Sequence, residues 1–293
     1  MSITGKDYVG GLIGYGNTTT VSEVSIDSSS SVTGSATALS VGGILGVLSA
    51  STLSLCSSAA TINAAGAGAH AYFGGIAGTI NGSSSISNSY FTGTVTQDSA
   101  NGQYGGGIVG KVDPGATVTL DRVWSSGTVS GRTYVGGIVG GNRGATTTIT
   151  RSFSTGPLTG LMYVGGILGL DWAGTSINLN RSYSKSPITV MATGTYAAGL
   201  IGYSLSGAGT YDKSYSTSVL GGDTAGVGIT GLIGTTTTLT CATCYCSDTT
   251  SGTCGTSGTF KSMAQMTNQV TYAGWDFSVD WTINESVSSP TLR

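Results

Sequence analysis

Charged side chains are scarce in this sequence, and their scarcity excludes several classes of protein. Only 8% of the 293 residues are Asp, Glu, Lys or Arg, and the formal net charge is −2. A chain without a basic surface is a poor candidate for binding nucleic acid, so no such partner is predicted. No apolar run reaches the ~18 residues of a transmembrane helix, so no such segment is predicted. With four prolines and glycines outside a three-residue period, collagen is excluded as well.

What the sequence has instead is glycine, serine and threonine. There are 50 glycines, and hydrophobic residues still make up 39% of the chain, which argues against intrinsic disorder. The low lysine content and the many small polar residues predict a secreted or cell-surface protein.

The glycines recur in a motif of two glycines, two aliphatic residues and a further glycine, as in residues 134–140 (YVGGIVG). Its last glycine returns every 29 to 33 residues, at Gly14, Gly46, Gly78, Gly110, Gly140, Gly169, Gly202 and Gly234. Such periodicity is typical of a solenoid, because one repeat cannot bury its own apolar face and must stack on its neighbours. A phosphate-binding loop is excluded, since no helical pattern follows any copy. Residues 2–8 match residues 128–134, so the chain is expected to begin partway through a repeat of a longer protein.

Between the glycine motifs, polar and apolar residues alternate, for example over residues 117–122. Alternation with a period of two predicts half-buried strands. We therefore predict an all-β fold, a parallel β-solenoid (β-helix) of about eight coils with a ~31-residue repeat. Glycine at the corners is expected to supply unusual backbone angles and to let neighbouring coils approach closely.

The C-terminal part differs in composition. We predict a repeat array over residues 2–240 and a distinct capping segment over residues 241–293, with one short helix around residues 261–267. The cysteines of this segment are compatible with disulfides, with free thiols or with a metal site. Disulfides are favoured, because they are common in surface proteins. No metal or cofactor is predicted. Cys56 is left over, and the candidates for disulfides are Cys241, Cys244, Cys246 and Cys254.

The glycine motif, followed by an aromatic-Ser-Thr-Gly-x-Val unit, resembles the GLUG repeats of bacterial and archaeal cell-surface proteins. Such repeats occur in large adhesin-like proteins and beside the catalytic parts of IgA-specific peptidases. The tail, at residues 244–248, 260–266 and 274–277 and at Trp281, is similar to the segment that often closes these arrays. The resemblance implies a β-solenoid stalk or binding module on a surface, and it carries over no catalytic residue. The first two repeats depart from the pattern, because no aromatic residue occupies the aromatic position, where residues 24–26 read VSI and residues 55–57 read LCS.

In four consecutive repeats a basic residue precedes the aromatic residue by two positions. By strand parity, cation and ring are expected to share a face. Four like charges at coil spacing repel one another unless anions intervene. Two interpretations stay open: a groove for acidic glycans with stacking on the rings, or rings that cap the core while the cations reach water. The residues are Arg122 and Trp124, Arg151 and Phe153, Arg181 and Tyr183, and Lys213 and Tyr215.

Hydroxyl side chains occupy the opposite parity, seven and five positions before the aromatic residue. Opposite parity places them on the other face of the strand. A flat ladder of threonines is how several ice-binding proteins look, although threonine also simply favours exposed strand positions. The threonines of this ladder are Thr117, Thr119, Thr146, Thr148, Thr238 and Thr240.

Both aliphatic positions of the glycine motif are apolar, for example Ile138 and Val139. Adjacent strand residues face opposite ways, so one of the two rows lies outside a simple coil interior. We expect the chain to fold back and cover this row, and a surface for self-association is the alternative.

No convergent set of catalytic residues stands out. His70 is the single histidine, and no Asp or Glu lies within 25 residues of it, so a Ser-His-Asp triad is not indicated. Asp121 and Asp212 share a column but are three coils apart, too far for a glycosidase pair. The leading prediction is a non-enzymatic structural or adhesive surface module, with a surface glycan or a second copy as partner. The alternatives are a solenoid that recognises carbohydrate or ice and, less favoured, a polysaccharide-degrading enzyme.

Overall fold

The predicted parallel β-solenoid is confirmed. The computed structural model describes residues 1–35, 37–64, 71–97, 104–191, 196–206, 208–222, 229–235, 241, 243–247, 254 and 258–293. Three of its sheets contain eight strands each, so the chain passes through eight levels, which amounts to about seven turns. All strand pairs between coils are parallel, for example the pair of Tyr104–Gly106 with Tyr134–Gly136.

Four sheets run along the solenoid, and equivalent strands of successive repeats lie side by side in each. Sheet A contains Ser2–Gly5, Ser31–Gly34, Thr61–Ala64, Thr94–Thr96, Thr128–Ser130, Leu158–Gly160, Ile188–Val190 and Leu220–Gly222. Sheet B contains Tyr8–Gly10, Ser40–Gly42, Tyr72–Gly74, Tyr104–Gly106, Tyr134–Gly136, Val164–Gly165, Ala197–Ala198 and Ile229–Thr230. Sheet C contains Ile13–Asn17, Leu45–Ser49, Ala77–Asn81, Val109–Val112, Val139–Asn142, Leu168–Asp171, Ile201–Ser204 and Ile233–Thr235. Sheet D contains Thr20–Ser22, Ser25–Ile26, Thr52–Ser54, Ser57–Ser58, Ser83–Phe91, Thr117–Ser125, Thr146–Thr150, Phe153–Ser154, Ile177–Asn180, Tyr183–Ser184, Gly209–Asp212, Tyr215–Ser216, Tyr245–Cys246 and Thr259–Phe260.

Equivalent residues of successive repeats pair directly. In sheet B, Tyr134 lies beside Tyr104, and in sheet A, Val95 lies beside Val129. Neighbouring strands are ~4.8 Å apart, so each column of the repeat becomes a straight row along the solenoid. A residue type that recurs in the sequence therefore becomes a continuous feature of the surface or of the core.

Both aliphatic rows of the glycine motif are buried. Ile138 and Val139 are each 0% exposed. The chain bends at residues 137 and 138, between a strand of sheet B and a strand of sheet C. At this bend the N–H groups of Ile138 and Val139 both donate to the carbonyl of Ile167 in the next coil. The bend lets two consecutive side chains enter the core, so the expectation of internal cover is confirmed.

The motif glycines are needed for space and not for backbone angle. A Cβ on Gly137 would collide with the carbonyl oxygen of Gly166 in the next coil and with the side chain of Ser154. A Cβ on Gly140 would lie 2.6 Å from the carbonyl oxygen of Gly110. No described glycine of the motif has a positive φ. The expectation of unusual angles is wrong here, whereas the close approach of neighbouring coils is confirmed.

Among the residues that the structure describes, the Asp171 carboxylate lies inside the solenoid. Asp171 is 0% exposed and accepts hydrogen bonds from Asn142 Nδ2 at 2.8 Å, Thr175 Oγ1 at 2.6 Å and Ser204 Oγ at 3.1 Å. Burial raises the pKa of Asp171 above its ordinary value of 3.8, although these hydrogen bonds act to lower it. Burying the ionised Asp171 carboxylate therefore lowers the free energy of unfolding by an amount that depends on pH.

We expect Asp171→Asn to remove one source of pH dependence and to leave the protein at least as stable at pH 7. Because the folded-state pKa lies above the unfolded value of 3.8, the native state binds more protons between these two values. The free energy of unfolding therefore falls as the pH rises through this window. Asparagine keeps the shape and one acceptor oxygen without the charge. Denaturant unfolding between about pH 3 and 8 measures the slope, and an unchanged slope in the variant would contradict this account.

The C-terminal segment contains the predicted short helix and lies along the side of the solenoid. The helix Met263–Met266 begins after Ser262, whose Oγ accepts from Gln265 N–H at 3.3 Å while the Gln265 side chain accepts from Ser262 N–H at 2.9 Å. This reciprocal pair is a capping box, which stabilises a helix start. A 3₁₀ turn, Gln269–Thr271, and an antiparallel pair of strands follow; the two strands are Trp281–Thr282 and Thr291–Leu292.

The start of this segment is linked to sheet D. Tyr245–Cys246 pairs with Tyr215–Ser216, and Thr259–Phe260 pairs with Tyr245–Cys246, so the sheet continues beyond residue 240. The domain boundary at residue 240 stays a prediction. Cys56 is a free, buried thiol, and the two disulfides are Cys241–Cys244 and Cys246–Cys254.

Candidate ligand-binding groove

A stack of aromatic rings follows the outer face of sheet D, with one ring in each of five successive coils from Tyr90 to Tyr215. The rings of Tyr90 and Trp124 lie 4.3 Å apart at 3°, and those of Trp124 and Phe153 lie 5.7 Å apart at 2°. Tyr183 continues the stack at 4.9 Å from Phe153. Each ring covers the face of its neighbour, so the stack presents ring edges to its surroundings. Ring edges carry a partial positive charge.

The C-terminal segment covers one half of this stack. Tyr183 and Tyr215 are only 4% and 0% exposed, because Trp281 packs over both with centroid distances of 6.1 and 6.0 Å. Tyr90, at the other end, is 37% exposed. Three rings of the stack stay at least partly exposed, and we call them the uncovered half: Tyr90, Trp124 and Phe153.

A groove of about 390 Å³ lies where the tail meets the uncovered rings. One wall is formed by Trp124 and Phe153, and the other by Val279 and Leu292 of the tail. Its polar lining contains three guanidinium groups and one carboxylate, which gives a positive balance of charge. These polar residues are Asn88, Arg122, Arg151, Asp280 and Arg293.

The four basic residues that precede the aromatic rings form a column along sheet D, here called the basic column. Each of them has a left-handed backbone conformation. A non-glycine residue in this conformation is strained by about 1–3 kcal/mol. In three of the four coils a serine follows and offsets the strain: Ser152 Oγ, for example, donates to the carbonyl of Thr150 at 2.8 Å and accepts from the N–H of Val123 in the preceding coil at 3.2 Å. The four basic residues, with φ between 46° and 52°, are Arg122, Arg151, Arg181 and Lys213.

This left-handed residue shifts the alternation of the strand by one position. Before it, Thr119 is exposed and Leu120 buried; after it, Val123 is buried and Trp124 partly exposed. The expectation that the hydroxyl ladder and the aromatic column face opposite ways is therefore wrong, because a bulge reverses the parity between them. Arg122 and Trp124 do share the outer face, as both line the groove.

Carboxylates separate the cations of the column. Asp121 accepts two hydrogen bonds from Arg151 of the next coil, at 2.9 and 2.8 Å. The same carboxylate lies 3.2 Å from Arg122, whose side chain is 51% exposed. Because Arg151 is held by both carboxylate oxygens, Arg122 is the more available of the two to a ligand.

The other two cations are paired as well. Arg181 lies 2.8 Å from Asp280 of the tail, and Lys213 lies 3.3 Å from Asp212. Register through sheet D places Asp121 and Asp212 three levels apart, each beside cations. Within the described residues, no three His, Cys, Asp or Glu side chains converge as metal ligands would. The carboxylates of this face therefore act on the cations and not on each other.

Comparison with known proteins identifies one coil of this surface. Residues 69–96 match the model of the GLUG motif. The GLUG coil contributes Tyr90 to the ring stack and Asn88 to the groove. No curated protein sequence matches the chain.

The GLUG-bearing solenoid is similar in fold to a solved bacterial protein. This is the crystal structure described as a "putative immunoglobulin A1 protease from Bacteroides ovatus", at 1.30 Å resolution. The likeness covers 95% of this chain and 76% of that chain, with a TM-score of 0.50 and 18% sequence identity. At this identity the likeness shows the fold alone. No helix in the described part of the chain is long and apolar enough to cross a membrane.

The hydroxyl ladder forms a separate strip on sheet D. Thr117 lies beside Thr146, and Thr119 lies beside Thr148, with the first residue of each pair exposed and the second half-buried. Recognition of carbohydrate or ice by this strip stays a prediction. Three residues considered in the sequence lie outside the described part: His70, Thr238 and Thr240.

Sequence reasoning missed the tail side of the groove and a second aromatic row. Val279, Asp280, Leu292 and Arg293 reach the rings only through the fold of the tail, which no repeat pattern indicates. The second row runs along sheet B, at or just before the start of its strands, and its constant position before the glycine motif is a signal that the sequence does contain. Its members are Tyr8, Tyr72, Tyr104, Tyr134, Tyr163 and Tyr196.

Proposed function

We propose that this chain is a non-enzymatic structural and adhesive module of a secreted or cell-surface protein, and that it attaches to acidic glycans through the groove beside Trp124. The observation that carries the proposal is the meeting of ring edges and guanidinium groups in one groove. The regular stacking of eight levels supplies a rigid support for such a surface.

Two features favour an anionic ligand. The faces of Trp124 are occupied by the rings of Tyr90 and Phe153, so insertion of a sugar ring between them is disfavoured, and the positive ring edges are what a ligand meets. Beside these edges, the guanidinium of Arg122 has donors to spare, since only its Nη1 atom is hydrogen-bonded to Asp121, at 3.2 Å, among the described residues. A carboxylate or sulfate group accepts such hydrogen bonds in a charge-assisted geometry.

The shape of the groove suits a linear polymer. The rings of Tyr90, Trp124 and Phe153 belong to three successive levels of the solenoid, about 4.8 Å apart along its axis. An extended glycan chain can therefore lie along these three coils, with an acidic group at Arg122 and its neighbouring sugars against the ring edges. Several weak contacts of this kind add up when they are linked in one chain.

The test is binding to immobilised polygalacturonic acid and chondroitin sulfate, with uncharged dextran as the ligand control. We expect Arg122→Ala to weaken binding about tenfold or more, because Arg122 is the more available of the two arginines that sheet D contributes to the groove. Binding should also weaken as salt is raised, since the attraction is between exposed charges. Arg132→Ala is the matched control, because Arg132 is exposed and does not line the groove.

Three results would count against the proposal. If neither acidic polymer is retained, the groove is not an acidic-glycan site. If Arg132→Ala weakens binding as much as Arg122→Ala, the attraction is a property of the whole surface. Release of new reducing ends from either polymer would contradict the non-enzymatic part.

A further inference from the structure

The tyrosine row on the outer face of sheet B is interrupted at one coil. Direct pairing aligns Tyr8 with Ser40, Ser40 with Tyr72, and Tyr72 with Tyr104. Tyr8 and Tyr72 are thus two strand spacings apart, roughly 9.6 Å, with only a serine between them. The missing ring leaves a slot in an otherwise aromatic surface.

This slot is a groove of about 230 Å³. On one side, the rings of Tyr8 and Tyr15 contact each other with centroids 5.5 Å apart, and they are 44% and 49% exposed. Tyr72 lines the other side, and Leu39 adds an exposed apolar edge. The hydroxyl of Ser40 is already hydrogen-bonded. The walls of the groove are therefore aromatic, and the Ser40 hydroxyl at its base needs no hydrogen bond from a ligand.

The polar groups of the groove carry no net charge but include free acceptors. Lys111 Nζ lies 2.7 Å from the Asp113 carboxylate and 4.3 Å from the centroid of the Tyr72 ring. The Asp113 side chain is 29% exposed, so its oxygens remain accessible. Asn81 Oδ1 is buried and has no hydrogen-bond partner among the described residues. A ligand with O–H donors would satisfy these acceptors.

We propose that this groove binds one sugar ring of a neutral glycan. The C–H face of the sugar packs against the tyrosine rings, and its hydroxyls donate to Asp113 and Asn81. A flat aromatic ligand fits less well, because Tyr8 and Tyr15 on one side of the groove are tilted by 50° to each other and give it no single flat face to stack on. An anion is disfavoured, because the ammonium of Lys111 is already neutralised by Asp113. The site shares no lining residue with the groove beside Trp124 and does not depend on the function proposed there.

Isothermal titration calorimetry with cellohexaose, mannohexaose, xylohexaose and chitohexaose tests this site on the full chain. We expect at least one of these neutral saccharides to bind. Tyr8→Ala removes one wall and Ser40→Tyr fills the slot with the missing ring, so each should weaken binding about tenfold or more. Arg132→Ala, outside both grooves, should leave the affinity unchanged, and Arg122→Ala reports whether the other groove contributes.

The variants separate the two sites and guard against misfolding. Tyr8 is 44% exposed, so Tyr8→Ala is expected to keep the wild-type melting temperature even if Ser40→Tyr does not. Failure of all four hexasaccharides to bind at millimolar concentration would overturn the proposal. Unchanged affinity in Tyr8→Ala would also overturn it. So would an Arg122→Ala variant that loses as much affinity as Tyr8→Ala, because neutral glycans would then bind in the other groove.

Discussion

Replacing Gly137 by valine is expected to prevent folding or to lower the free energy of unfolding by about 3 kcal/mol or more. The new Cβ would collide with the carbonyl oxygen of Gly166 and with the side chain of Ser154. The carbonyl belongs to the backbone of the next coil, which cannot move without breaking the parallel pairing on both sides. Gly107 and Gly199, in the same row, meet the same obstacle, so the effect is a property of the row.

Thr148→Val is the matched control for this substitution. Thr148 is half-buried on the outer face of sheet D, so a β-branched residue of similar size should change stability by only about ±0.5 kcal/mol. Thermal unfolding of the two variants against the wild type gives the comparison. If Thr148→Val were the more damaging, the assignment of inner and outer faces in this coil would have to be reversed.

Replacing Trp281 by alanine is expected to release the C-terminal tail from the solenoid. Trp281 is 0% exposed and packs on Tyr183 and Tyr215, and its centroid lies 4.4 Å from that of Trp275. Truncation of a fully buried tryptophan costs about 3–5 kcal/mol. Limited proteolysis should then cut the tail, while the far-UV circular dichroism of the solenoid is kept.

Val270→Ala serves as the control in the tail, because Val270 is 83% exposed and its truncation removes no buried contact. Release of the tail also removes Val279 and Leu292 from the groove wall, so Trp281→Ala should weaken retention on acidic glycans. An unchanged digestion pattern would show that other contacts hold the tail. Among these are the hydrogen bond from the Tyr215 hydroxyl to the carbonyl of Pro290 and the ion pair of Arg181 with Asp280.

The sequence predicts the solenoid well because its information is periodic. Gly110 and Gly140 occupy equivalent positions, and in-register stacking turns that equivalence into direct contact between coils. Alternation over residues 117–120 likewise predicts which side chains are buried, since a regular strand has no other way to arrange them. Both inferences need only the local geometry of a strand and the period of the repeat.

The same reasoning fails where the backbone leaves the regular strand. The left-handed conformation at Arg151 reverses the inward and outward alternation of the side chains after it. The residue is an arginine and not a glycine, so the sequence does not indicate this conformation. It is stabilised by Ser152, whose hydroxyl bonds back to Thr150 and accepts from Val123 of another coil. A conformation that depends on a neighbouring coil cannot be predicted from the sequence of one repeat. Counting alternate residues therefore placed the hydroxyl ladder on the wrong face relative to the aromatic column.

By itself, the sequence determined that the chain winds into stacked coils and that one aromatic ring and one basic residue recur in each of several coils. Only the tertiary structure decided which of these rings a ligand can reach. The tail follows no repeat pattern, and its position depends on the contacts of Trp281 with Tyr183 and Tyr215, far away in the sequence. Those contacts close one half of the ring stack and leave Trp124 and Phe153 as a wall of the groove. The physical reason is that periodicity specifies contacts between equivalent residues, whereas a non-repeating segment docks wherever its own apolar side chains can be buried.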